Sequence, residues 1–141
     1  MKDGICSECD LPFLKQFWIG RRHGLLKELI NLYKYHSIRV CALVFADLIA
    51  ELYGDYLKSH TIVPLPTIEK HIRERGFDHT KKLAKAVAKT CGAKCAYLLA
   101  RGNDCVQVGA NEETRRKQAK TAYKVRNKTP ICDRVVLLDD V

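Results

Sequence analysis

Residues 135–141 read VVLLDDV, so four aliphatic residues run directly into two adjacent carboxylates, Asp139 and Asp140. The aliphatic run is typical of a buried strand, and a buried strand does not need two acids at its tip. Ligands of parallel α/β sheets bind beyond the carboxyl ends of the strands, which gives the two acids a functional interpretation. A helix cap formed by one aspartate is the structural alternative. The composition of the strand alone favours neither.

Two amphipathic helices are predicted well upstream of this strand. Apolar residues recur at three- and four-residue spacings over residues 24–35 and again over residues 38–57, with Ser37 placed to cap the second helix. The second helix is expected to bury one stripe: Cys41, Phe45, Leu48, Leu52 and Tyr56. We expect the two helices to pack together through their apolar faces.

Between these helices and residue 134, strands and helices alternate. Short apolar runs predict strands over residues 61–65 and 96–100, and residues 67–79 read as a polar, basic loop. A helix is predicted over residues 80–90, capped by Asp78 and stopped by Gly92. Its inward side chains are Leu83, Ala84, Val87 and Ala88.

Residues 101–110 read as a long loop, and a basic helix is predicted to begin at Asn111. The alternation predicts an α/β fold with a mainly parallel sheet. The carboxyl ends of its strands should meet at one rim, which would bring together residues 64–66, Arg101, Asp139 and Asp140.

Composition bounds the class of protein. The 141 residues are 47% hydrophobic, which suits one globular domain. No stretch approaches the roughly 20 apolar residues of a membrane span, and the first residues lack the apolar core of a secretory signal, so a cytoplasmic location is expected. The odd cysteine count of seven favours reduced thiols or metal ligands over disulfides.

The positive charge is concentrated in one part of the chain. The net charge is +9, and residues 62–141 hold 17 basic against 9 acidic groups. A local excess of this kind favours a polyanionic partner, either a phosphorylated small molecule or a nucleic acid. Several lysines are expected to be ordinary solvated charges: Lys81, Lys82, Lys85, Lys89 and Lys117.

Six short motifs in order make the sequence resemble the ComF/GntX family of type I phosphoribosyltransferase-like proteins, over about residues 20–141. The motifs are GLLKELI at 24–30 with Lys34 and Tyr35, VPLP at 63–66, RERGFD at 73–78, QVG at 107–109, Arg115 and Arg116 with Ala122 and Tyr123, and VLLDDV at 136–141. The family commonly has Asn where Asp78 stands and Phe where Tyr123 stands. Neither departure removes a group assigned below to chemistry.

The resemblance implies a parallel sheet flanked by helices and preceded by the helical pair, and it implies binding of 5-phosphoribosyl 1-pyrophosphate (PRPP) with Mg²⁺. Asp139 and Asp140 match the acids that accept hydrogen bonds from the ribose hydroxyls and stabilise the oxocarbenium character of the transition state. The residues that match the pyrophosphate-binding and closing segments are Lys70, Arg73, Arg75, Gly76, Arg115 and Arg116. The expected reaction transfers a phosphoribosyl group to an unidentified acceptor and releases pyrophosphate.

The chain departs from the family pattern at both ends. The pattern continues past the acids into a threonine- and glycine-rich loop that binds the 5-phosphate, whereas this sequence stops at Val141. We therefore expect a truncated form in which the last part of the sheet is missing. A polypeptide that ends there should bind PRPP poorly and be inactive, and its open sheet edge should favour self-association. Residues 1–20 correspond to a remnant of a zinc-finger-like segment, in which Cys6 and Cys9 form half of a four-cysteine site.

A different class of function stays open. Proteins that resemble this one are associated with DNA uptake and natural transformation, and a basic face could bind single-stranded DNA without catalysis. Only Phe77, Tyr97 and Tyr123 are aromatic in residues 62–141, which is a sparse platform for stacking bases. A structural relative without any ligand is the third possibility.

Overall fold

The computed structural model describes residues 15–102, 121–126 and 134–139. In chain order these residues form α1 (Gly24–Tyr35), α2 (Cys41–Leu57), β1 (Thr61–Pro64), α3 (Glu69–Arg75), α4 (His79–Cys91), β2 (Lys94–Cys95), β3 (Leu99–Arg101), β4 (Tyr123–Val125) and β5 (Val135–Leu138). The mixture of helices with a parallel sheet confirms the α/β class. Within these ranges, no helix has both the length and the apolar character that crossing a membrane requires.

The parallel sheet has β1 at its centre, with β2 on one side and β5 on the other. All four residues of β1 are buried, which explains why the TIVP run is apolar and β-branched rather than alternating. β1 and β5 pair in parallel from Thr61 opposite Val135 to Pro64 opposite Leu138. Two stretches that lie more than 70 residues apart in the chain therefore end side by side.

The prediction for the second strand is wrong both in the residues that form it and in the strand that pairs with it. Residues 96–100 do not form a strand of the parallel sheet, because β2 is confined to Lys94–Cys95. β3 (Leu99–Arg101) instead pairs antiparallel with β4 in a separate two-stranded sheet. Arg101 consequently ends a strand of that second sheet, and the expectation that it follows a parallel strand is wrong.

Helix α1 has the predicted bounds, whereas α2 begins three residues later than predicted. Ser37 does not cap α2: its backbone has a positive φ of 56°, and its hydroxyl donates to the carbonyl oxygen of Arg75. The predicted stripe of α2 is confirmed at Cys41 and Phe45, and Tyr56 packs partly buried against the core, whereas the stripe is wrong at Leu48 and Leu52. Leu48 and Leu52 are exposed, and the fully buried residues are Cys41, Ala42, Phe45, Ala46 and Leu57.

The core lies between α2, α4 and one face of the parallel sheet. The four inward residues predicted for α4 are all buried there, next to Ile62 of β1 and Leu138 of β5. Tyr33 of α1 completes the core with an edge contact to Phe45, their ring centroids 5.8 Å apart. The predicted packing of the first two helices on each other is confirmed by that contact. Gly92 ends α4 in the left-handed conformation, as predicted.

Residues 67–79 are not the continuous loop that the sequence predicts, because α3 occupies Glu69–Arg75. The helix is short and ends at Gly76, whose φ of 71° lies in the left-handed region that glycine tolerates best. Gly76 thus makes the chain turn at the end of this helix.

Candidate functional site

The site begins where β1 and β5 end together. The backbone N–H of Leu65 donates to the carbonyl oxygen of Leu138 at 3.0 Å, which continues the strand pairing one residue past β1. Asp139 is the next residue of the β5 chain and is exposed to solvent. The sequence predicts that residues 64–66 and Asp139 lie at the same edge of the sheet, and the structure confirms this. Asp140 lies outside the described residues.

A hydrogen-bonded network fixes the path of the chain away from this rim. The Thr80 hydroxyl donates to the Leu65 carbonyl oxygen at 2.8 Å, and the Thr67 hydroxyl donates to Asp78 Oδ1 at 3.1 Å. The two threonine oxygens are themselves 3.0 Å apart. These contacts tie the residues on both sides of α3 to the first turn of α4, so the exit of β1 and the start of α4 hold a fixed relative position.

Asp78 caps α4 as predicted, with its Oδ1 accepting from the backbone N–H of Lys81 at 3.1 Å. Burial by itself would raise the pKa of this carboxyl. The hydrogen bonds from Lys81 and Thr80, together with the Lys81 charge, outweigh burial and hold the pKa of Asp78 below its ordinary value of 3.8. The carboxylate is therefore charged at neutral pH and occupied by its neighbours.

Helix α3 carries three of the predicted phosphate ligands, and they have different surroundings. Lys70 is exposed and pairs with Glu74 across one turn, with Nζ and Oε1 3.9 Å apart. A hydrogen bond with His71 lowers the pKa of the Glu74 carboxyl, which the charges of Lys70 and Arg75 lower further. Arg73 is also exposed. The charges of Lys70 and Arg73 thus face solvent.

Arg75 is half-buried and serves the packing of α3. Its Nη1 lies 2.9 Å from Nδ1 of His79, and its guanidinium carbon lies 6.0 Å from the centre of the Tyr35 ring. His79 is the first residue of α4 and is buried. A phosphate bound by Arg75 would have to share this guanidinium with His79.

Two residues between α1 and α2 hold the turn after α3, a role that no pattern in the sequence indicates. The Ser37 hydroxyl donates to the Arg75 carbonyl oxygen at 2.9 Å, and Arg39 Nη2 donates to the Gly76 carbonyl oxygen at 3.1 Å. The Arg39 guanidinium also lies over the Phe77 ring at 5.2 Å. The helical pair therefore positions the basic segment that leads away from the rim.

An apolar cavity of about 190 Å³ lies between the helical pair and β5. Its lining includes Trp18, Tyr33 and Phe45, and Asp139 belongs to the same lining. Arg22 and Lys34 supply the positive charges of the wall. Asp139 thus lies at the exposed edge of the sheet and also lines the apolar cavity.

Metal ligation has limited support in the described part of the chain. No cluster of three or more His, Cys, Asp or Glu side chains that could hold a metal occurs in residues 15–102, 121–126 and 134–139. Cys41 and Cys91 are buried free thiols, which agrees with the core position expected of Cys41. The remaining predicted site residues lie outside the described residues: Cys6, Cys9, Arg115, Arg116 and Asp140.

Comparison of the chain with models of known protein families gives no match, and neither does comparison with curated proteins or with solved structures.

Proposed function

We propose that this chain binds PRPP together with Mg²⁺ at the carboxyl edge of its parallel sheet, as a type I phosphoribosyltransferase-like domain of the ComF/GntX kind. The observation that carries the proposal is the pairing of β1 with β5. It puts the exposed carboxylate of Asp139 beside the exit of β1, and the basic helix α3 follows from that same exit. PRPP requires a carboxylate that binds its sugar and cationic groups that bind its phosphates.

In this proposal the ribose hydroxyls donate hydrogen bonds to Asp139, with Asp140 as the second acid. Lys70 and Arg73 bind pyrophosphate oxygens, because their charges face solvent rather than the protein interior. The bond between ribose C1 and the pyrophosphate oxygen breaks, its electron pair leaves with pyrophosphate, and an acceptor nucleophile bonds to C1. A carboxylate near the sugar stabilises the positive charge that C1 develops on the way.

Magnesium fits this donor set because Mg²⁺ prefers hard oxygen ligands and is commonly held by substrate phosphates with one or two carboxylates. Asp139 offers such a carboxylate at an exposed position. When bound, the ion would neutralise charge on the leaving pyrophosphate. The protein's own contribution is to hold the sugar and to orient the phosphates.

Calorimetric titration of PRPP with Mg²⁺ into the chain tests the proposal. We expect weak binding, in line with the poor affinity expected from the sequence, and Asp139→Asn should weaken it further by about tenfold or more, because hydrogen bonds to a charged group contribute about 1.5–3 kcal/mol each. Asp47→Asn, which neutralises an exposed acid on α2, is the matched control and should bind as the parent does. Equal affinity in the parent and in Asp139→Asn would contradict the proposal.

A further inference from the structure

A second group of charged side chains surrounds a cavity at the start of α4. This open cavity of about 470 Å³ has a lining whose described residues are Asp78, Lys81, Lys82, Lys85, Tyr97 and Arg126. The lysines belong to the first two turns of α4, Tyr97 follows β2, and Arg126 follows β4. We call it the basic cavity. It has no residue in common with the proposed PRPP site.

The basic cavity carries an excess of positive charge. Among the described residues that line it, four cationic side chains accompany one carboxylate, that of Asp78. This carboxylate is already engaged, because its Oδ1 accepts from the Lys81 backbone N–H and its Oδ2 lies 3.2 Å from Lys81 Nζ. An additional anion would therefore meet positive groups without displacing Asp78 from its cap.

Two of the ammonium groups lie close to the Tyr97 ring. Lys81 Nζ and Lys85 Nζ lie 5.8 and 6.0 Å from the centre of this ring. Like charges at positions i and i+4 of a helix repel each other, and the electron-rich ring face offsets part of that repulsion. A bound anion would offset the rest, because it can accept hydrogen bonds from both ammonium groups at once.

The far wall of the basic cavity is also fixed in place. The backbone N–H of Arg126 donates to the Leu98 carbonyl oxygen at 2.8 Å, and Arg126 Nε donates to the Leu99 carbonyl oxygen at 3.1 Å. These bonds tie the guanidinium to β3, and Arg126 lines the same cavity as three lysines of α4. A guanidinium together with ammonium groups is an arrangement that matches the several oxygens of one phosphate.

We propose that the basic cavity is a phosphate-binding site, separate from Asp139, for a phosphate-rich polyanion. The phosphates can come from a free oligophosphate compound or from the backbone of a single-stranded nucleic acid, since both present compact oxyanions. Lys81, Lys82, Lys85 and Arg126 donate to the phosphate oxygens. This assignment replaces, for the three lysines, the expectation that they are ordinary solvated charges.

The test uses two probes on the whole chain, inorganic tripolyphosphate by calorimetry and fluorescein-labelled (dT)15 by anisotropy. Lys85→Ala and Arg126→Ala each remove one donor, and we expect each to weaken binding about tenfold, as for the loss of a charge-assisted hydrogen bond. Lys89→Ala is the matched control, because Lys89 is exposed one turn further along α4 and does not line the basic cavity. It should change affinity less than about twofold. Asp139→Asn should leave both probes unaffected.

The outcomes separate the two sources of phosphate. Weakening of both probes by Lys85→Ala identifies a site that a free oligophosphate can occupy. Alternatively, Lys85→Ala weakens binding of the oligonucleotide alone and lowers the slope of log affinity against log salt concentration by about one. That result identifies a site for the single strand. Equal losses from Lys85→Ala and Lys89→Ala would overturn the proposal, because they would show diffuse attraction to a basic surface. Absence of binding by either probe would overturn it too.

Discussion

At the scale of single residues, Asp78 is an acid held by several neighbours at once. It caps α4, accepts from the Thr67 hydroxyl and pairs with Lys81, and its side chain is only 12% exposed. Asp78 therefore lies at the junction between the segment that follows β1 and helix α4. The lysines in the first two turns of α4 line the basic cavity. Its removal should affect stability more than its charge alone would suggest.

Replacement of Asp78 by alanine should lower the free energy of unfolding by about 1 kcal/mol, the usual cost of a lost N-cap. Asp78→Asn should cost less, because asparagine caps helices well. Urea unfolding at pH 7 measures both. Equal stability of Asp78→Ala and the parent would contradict the capping role.

The pH dependence of this stability has a definite sign. The pKa of Asp78 is lower in the folded chain than its ordinary 3.8, so the folded state favours the charged form. The resulting stability is present above the ordinary pKa and is lost as the pH falls through the folded value. The difference between the parent and Asp78→Asn should accordingly shrink as the pH drops below about 4, measured as melting temperature across pH 2.5–7. A difference that stays constant over that range would contradict the assignment.

At the scale of elements, α2 shows which part of a helix its own sequence can predict. The spacing of apolar residues gave the helix and its end at Leu57, since that information is local. α2 is apolar over most of its circumference, so several stripes fit the same spacing. The partners α4 and α1 select the face with Phe45 and leave Leu48 and Leu52 exposed. Which face is buried is a property of the packing.

Two substitutions on α2 test which of its faces is buried. Phe45 is 4% exposed and should cost about 3–5 kcal/mol when changed to alanine, because the loss of a buried ring leaves a cavity. Leu52 is 54% exposed, and Leu52→Ala should change stability by less than about 1 kcal/mol. Chemical denaturation of both variants gives the two values. Comparable costs would mean that the predicted stripe, which includes Leu52, is the buried one.

Two glycines should respond in opposite directions to the same change. Gly92 ends α4 with a φ of 65°, so Gly92→Ala should destabilise the chain by about 1–2 kcal/mol through backbone strain, even though a Cβ there would meet nothing within 4 Å. Gly54 lies inside α2, where a Cβ would touch only Ala50 at 3.9 Å, and Gly54→Ala should stabilise by about 0.5–1 kcal/mol. Thermal unfolding of the two variants tests the signs. A shift of the same sign in both would contradict this account.

At the scale of the whole molecule, the sequence predicted the rim of the sheet and not its surroundings. The rule that parallel strands end at one edge was enough to bring Leu65 and Asp139 together. It could not show that β3 pairs antiparallel with β4, because strands of three residues carry almost no period of their own. The basic cavity was out of reach for a related reason. Tyr97 and Arg126 join the lysines of α4 only through the tertiary fold.

The two proposed anion sites should act independently, because they have no residue in common. A ligand that binds only the folded chain stabilises it by about 2.7 kcal/mol at a concentration one hundred times its Kd. PRPP with Mg²⁺ and tripolyphosphate should each raise the melting temperature, and their effects together should add within about 0.5 kcal/mol, as for separate sites. At the same ligand concentration, a tenfold loss of affinity should reduce the stabilisation to about 1.4 kcal/mol. Asp139→Asn should reduce the first shift in this way and keep the second, while Lys85→Ala does the reverse. If either substitution reduced both shifts, one shared anion site would replace the two proposed here, and the lysines of α4 would become part of the PRPP site.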